Sequence, residues 1–79
     1  MNNDPVMNMT IDPELHTEKV VTNNKLFLID LKKNQAGYYL KVSEISNQKK
    51  SSIFIPQEGI SGIIDALCKI SAIMDKENA

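Results

Sequence analysis

The sequence predicts an α+β fold: a four-stranded antiparallel sheet followed by one C-terminal helix, in ββββα order. Three observations predict it. Residues 25–33 read Lys-Leu-Phe-Leu-Ile-Asp-Leu-Lys-Lys, an apolar run of strand length that turns charged at its end. Two polar turn groups, Asn34-Gln35-Ala36-Gly37 and Asn47-Gln48-Lys49-Lys50, divide the middle of the chain at strand-length spacing. Beyond Pro56 the apolar period changes. Ile60, Ile63, Ile64, Leu67, Ile70 and Met74 fall at the three- and four-residue steps of a helix face.

Residues 1–16 mix polar residues with prolines and methionines without a period, and are expected to form a flexible N-terminal tail. One domain is expected over 17–76, with 77–79 as a C-terminal tail. The β-branched pair Val20 and Val21 marks a short first strand, ended near Thr22-Asn23-Asn24. In the second strand, alternation puts Phe27, Ile29 and Leu31 on a core face, and Leu26, Leu28, Asp30 and Lys32 on the other. Gly37 can take the positive φ that a strand reversal needs. The third strand follows over 38–46, with Tyr38, Leu40 and Val42 on one face and Tyr39, Lys41 and Ser43 on the other. Ser52, Ile53, Phe54 and Ile55 make the fourth strand, and Pro56 stops the ladder.

Seventy-nine residues allow a single domain of modest core, and domains of this size draw on disulfides, metals or self-association for support. Cys68 is the only cysteine and His16 the only histidine, so neither a disulfide within the chain nor a protein-held metal is expected. Cys68 and Ile73 widen the helical stripe beyond what one small sheet covers. Both points lead to a homodimer. The N-terminal residues carry neither the basic stretch nor the apolar run of a signal peptide, and no stretch is long enough to span a membrane. With one thiol, these features give the expectation of a soluble, cytoplasmic protein.

Charge is segregated. The net charge is −1, yet residues 17–55 hold Lys19, Lys25, Lys32, Lys33, Lys41, Lys49 and Lys50 against Glu18, Asp30 and Glu44. Acidic residues dominate both flanks, with Asp4, Asp12 and Glu14 before this block and Glu58, Asp65, Asp75 and Glu77 after it. Phosphate affinity follows local lysine density more than total charge. Ordinary surfaces are also lysine-rich, so the block alone fits a solvated surface as well. Catalysis is not expected. His16 falls in the tail, Cys68 in an apolar stripe and the three glycines are scattered, which excludes a phosphate loop. No cofactor and no small-molecule substrate are expected.

The sequence from Glu18 to about Ser71 resembles a PUR repeat of the purine-rich-element-binding, or Pur-alpha, family, in its single-repeat form. The resemblance is carried by residues 25–34, which contain Asp30-x-Lys32-x-Asn34, and by Gly37-Tyr-Tyr-Leu-Lys-Val-Ser-Glu44. Ser51-Ser-Ile-Phe-Ile-Pro56 and Gly59-Ile-x-x-Ile-Ile-Asp-Ala-Leu67 continue it. It implies the ββββα unit, two of which intertwine, so that a single-repeat chain pairs with a second copy. It also implies single-stranded DNA or RNA as partner, with duplex DNA as a further candidate, and a role in transcription or translation.

Residue by residue, Lys32 resembles the family's phosphate- and base-contacting lysine, and Asn34 its base-reading asparagine. Tyr39 stands where the family has an aromatic that wedges against bases. Asn24 and Lys25 match a polar-lysine pair used for contacts, and Lys41 shares the parity of Tyr39. Tyr38 replaces an arginine, and Gln35 and Ala36 replace residues that are often basic. Losing the guanidinium fork implies weaker, less guanine-selective binding. The residues alone leave alternatives open: Asn34 fits a turn-former, and Tyr39 fits strand packing. A dimeric protein-interaction module is the competing function, favoured by Leu26 and Leu28 on the outward strand face and by the missing arginines.

Overall fold

The computed structural model describes residues 12–78. The expectations for residues 1–11 and for Ala79 lie outside the described residues. Within them the chain forms β1 (Glu14–Val21), β2 (Leu26–Asn34), β3 (Gly37–Ser46), β4 (Lys49–Pro56) and α1 (Gln57–Glu77). The strands make one antiparallel meander in the order β1-β2-β3-β4, followed by the single helix.

β1 is longer than its sequence suggests and begins at Glu14, inside the segment read as tail. Its first residues are mostly polar, but backbone groups along the open edge of β2 accept any non-proline partner. The register shifts between Glu14 and His16, the mark of a bulge at this end. β4 ends at Pro56, which sits on an edge strand and leads directly into α1. The helix runs to Glu77, one residue into the expected C-terminal tail. Among the described residues no helix is long and apolar enough to cross a membrane.

Both central hairpins close over two residues. Asn34 pairs with Gly37 across Gln35-Ala36, and the Asn34 Oδ1 accepts the Ala36 N–H at 2.8 Å. Gly37 has φ 127°, where a Cβ would be strained and would also meet the Gln57 Oε1 at 3.3 Å. Ser46 pairs with Lys49 across Asn47-Gln48, both at positive φ (52° and 66°). This is the mirror-image turn whose twist suits a hairpin.

The register sorts the side chains into two faces. Ile29 pairs with Val42, Leu31 with Leu40, and Val42 with Ile53, placing the alternation read from β2 and β3 on one side. There Ile29, Leu40, Val42, Ile53 and Ile55 form an apolar groove of about 340 Å³ with Ile60, Ile63, Ile64 and Leu67 of α1. The opposite face carries Lys19, Leu28, Ser43 and Ser52 in one cross-strand row, with Thr17, Asp30, Lys41 and Phe54 in the next. Asp30 is 7 % exposed and Ser43 1 % exposed. Thr17 Oγ1 donates to Asp30 Oδ1 at 2.7 Å, and the hydroxyls of Ser43 and Ser52 lie 3.0 Å apart.

Among the described residues no apolar side chain is fully buried within the single chain. The helix outruns its sheet: Ile70, Ile73 and Met74 continue the apolar stripe past the groove and are exposed, as is the Cys68 thiol. Cys68, which the sequence places in the apolar stripe and so reads as core, is thus uncovered within one chain. The radius of gyration is 16.3 Å. A compact chain of this length has about 11–12 Å.

Candidate nucleic-acid interface

Lys32 and Tyr39 are direct partners across β2 and β3, on the face away from the helix. Their pairing follows from the two-residue turn, which fixes the register, and from strand parity, which gives both the same face. Lys41 lies on this face two residues along β3, paired with Asp30 on one side and Phe54 on the other. Lys32, Tyr39 and Lys41 are half-buried, so their stems rest on the sheet. Asn34 stands at the same end, exposed in the turn. Its carbonyl holds the turn together, as a turn-former's would, while its NH₂ donors take no part in that bond.

The other three candidates are placed differently. Tyr38 belongs to the helix side, where it pairs with Lys33, whose Nζ lies 5.1 Å from the ring centroid. Asn24 and Lys25 occupy the β1–β2 turn, closed by Thr22 N–H to Lys25 C=O at 2.9 Å. That turn is at the far end of β2, with Lys25 about 30 Å from Asn34 at the usual strand rise. Lys25 Nζ there meets Glu44 Oε2 at 2.5 Å, an exposed ion pair of small stabilising value that a phosphate could displace. The structure thus gathers Lys32, Asn34, Tyr39 and Lys41, and sets Asn24 and Lys25 apart from them.

Several residues of the face were not singled out from the sequence. Phe54 of β4 is 64 % exposed, with its ring centroid 6.0 Å from that of Tyr39 and the planes tilted by 55°. Lys19 and Lys50 share this side by register, opposite Leu28 and Ile45. Asp12 reaches the same face from ahead of β1, and its carboxylate accepts the Tyr39 hydroxyl. That hydrogen bond, with desolvation and the nearby negative charge, raises the Tyr39 pKa above the ordinary tyrosine value. Period-two reading could have assigned Phe54 to this side, since Ile53 and Ile55 flank it on the other.

A sheet face with cations beside one half-buried and one exposed aromatic ring can neutralise phosphates and stack unpaired bases, the two elements of single-strand recognition. The comparisons with known proteins agree. The family described as "PurA ssDNA and RNA-binding protein" matches residues 4–74, and the chain belongs to that family. It is also 43% identical over 54 residues to "Transcription factor Pur-alpha 1" of Arabidopsis thaliana, a match covering 68% of this chain. That match spans 18% of the relative's own length. Its ββββα fold is the one this resemblance implies.

Proposed function

We propose that the chain binds single-stranded DNA or RNA across the face holding Lys32, Tyr39 and Lys41, and does so as an intertwined homodimer. The observation that carries the binding is the direct Lys32–Tyr39 pair, a cation and a ring side by side on a sheet face that the helix leaves open. Phosphate contacts come from lysines on either side of the ring, and bases are held by stacking, which tolerates any sequence. The role is regulatory, in transcription or translation, and involves no catalytic step. A cytoplasmic setting goes with this reading, since an exposed lone thiol stays reduced there.

Dimerisation is supported by what the single chain leaves open. Its groove-lining residues stop at Leu67, while Ile70, Ile73 and Met74 continue the stripe with no sheet beneath them. A second copy offers both missing halves: its groove receives the free end of this helix, and its own helix end covers this groove. Such an exchange buries apolar surface reciprocally and accounts for an elongated protomer without a sealed interior.

The test is fluorescence anisotropy of labelled single-stranded DNA and RNA at about 50 and 200 mM salt, the range where phosphate contacts show. Wild type is compared with Lys32→Ala and Tyr39→Ala, with light scattering for mass. Salt-sensitive binding that both substitutions weaken, in a folded dimer, is the expected result. Absence of binding at either salt refutes the function and leaves a protein partner as the object of search.

A further inference from the structure

We propose that Phe54 is a second base-stacking platform, which with Tyr39 forms a two-ring seat for neighbouring unpaired bases. This rests on the single-strand binding proposed above and adds a residue that neither the family pattern nor the lysine block assigns.

Phe54 lies on β4, where Ile53 and Ile55 turn into the groove under α1 and Phe54 faces the other way. Its backbone partner is Lys41, and Tyr39 is its diagonal neighbour, since Tyr39 pairs with Pro56 two residues on. The rings touch at 6.0 Å between centroids, yet Phe54 keeps 64 % of its surface exposed. An exposed phenylalanine beside a lysine and a tyrosine is poorly used as packing, because the Tyr39 contact covers only part of it. It is well used as a surface on which a base lies.

The tilt has a further meaning. Planes inclined at 55° do not continue one regular base stack. Two bases resting on them are splayed, the arrangement of unpaired strands in protein complexes. Lys32 and Lys41, adjacent to the two rings by register, stand where the connecting phosphates would pass. The seat therefore selects single strands over duplex through geometry as well as through exposed bases.

The experiment compares wild type, Phe54→Leu and Phe54→Tyr with labelled single-stranded oligonucleotides, recording affinity, salt dependence and mass. Phe54→Leu keeps an apolar side chain without a ring face. It is expected to weaken binding about 5- to 150-fold, the range of one base–aromatic stack, with an unchanged salt slope. Phe54→Tyr is expected to restore affinity. Wild-type affinity in Phe54→Leu, with Tyr39→Ala still defective, overturns the inference and leaves the binding function standing. Loss of the dimer in Phe54→Leu assigns the ring to chain pairing and also overturns it. A wild-type chain that binds no strand refutes the underlying function together with the platform. Because a variant can misfold, wild-type protein is also photo-crosslinked to 5-iodouracil-substituted strands. A crosslink at Phe54 supports the platform, and crosslinks confined to Tyr38 and Tyr39 refute it.

Discussion

Replacing Lys32 by alanine gives a quantitative test of the proposed binding face. Four lysines, Lys19, Lys32, Lys41 and Lys50, stand on the face away from the helix by strand register. For single strands each neutralised phosphate adds about 0.7 to the slope of log affinity against log salt. If each lysine meets one phosphate, the slope per protomer is about −2.8, which is a loss of about 50-fold between roughly 50 and 200 mM salt. Lys32→Ala removes one contact, so its slope falls to about −2.1 and its salt loss to about 18-fold. The defect is therefore larger at low salt than at high salt. Anisotropy titrations at four or more salt concentrations measure it, with circular dichroism to show that the fold is kept. Lys69→Ala, on the helix, is the control and should leave the slope unchanged. A Lys32→Ala protein with wild-type slope and wild-type affinity would refute the idea that strands cross this face.

Four further outcomes follow from particular contacts. With Tyr38→Phe leaving Tyr39 as the only phenol, ultraviolet titration should show Tyr39 ionising above the ordinary value near 10, and Asp12→Asn should lower it. The sign is that of an acid kept neutral by the fold: this stability is whole below the unfolded pKa and is lost as pH rises through the folded one. Asp30→Ala removes the buried carboxylate that accepts the Thr17 hydroxyl, which stays exposed and keeps Glu14 Oε2 at 3.1 Å, and should cost about 0.5–1.5 kcal/mol in denaturant unfolding. Gln48→Gly relieves a left-handed glutamine and should stabilise by about 0.5–1 kcal/mol, read as a rise of a few degrees in melting temperature at fixed concentration. Leu67→Glu puts a charge at the groove's end and should reduce the measured mass towards one chain; an unchanged dimer would remove α1 from the pairing surface.

Much of the fold is legible because its patterns are local. The alternation of Phe27, Ile29 and Leu31 and the glycine after Asn34 specify β2, the turn and β3, with a register that follows from them. The helix is equally plain, since its stripe from Ile60 to Met74 repeats over about four turns. β1 is less so: Glu14, His16, Thr17 and Glu18 show no apolar face, and they become strand by pairing with the edge of β2. The site divides in the same way. Lys32, Tyr39 and Lys41 share a face by parity, which sequence shows, whereas the separation of Lys25 from Asn34 depends on the length of β2 in space. Phe54 was hidden in an unbroken apolar run, where period two is hard to see. The Asp12–Tyr39 contact joins residues 27 apart and leaves no local trace.

The helix that outruns its sheet has a consequence for heredity and for avidity alike. In a two-fold pair built on it, one codon change alters two symmetric places at once, so a substitution at Ile64 or Leu67 is felt twice and conservative change there is doubly constrained. The same doubling applies to the binding faces. The proposed pair would present two of them, and a nucleic acid long enough to bridge both would be held by two attachments, the second made at high effective concentration. A shorter strand gains only one. Strand length, as much as base sequence, then becomes a quantity to which this small protein responds.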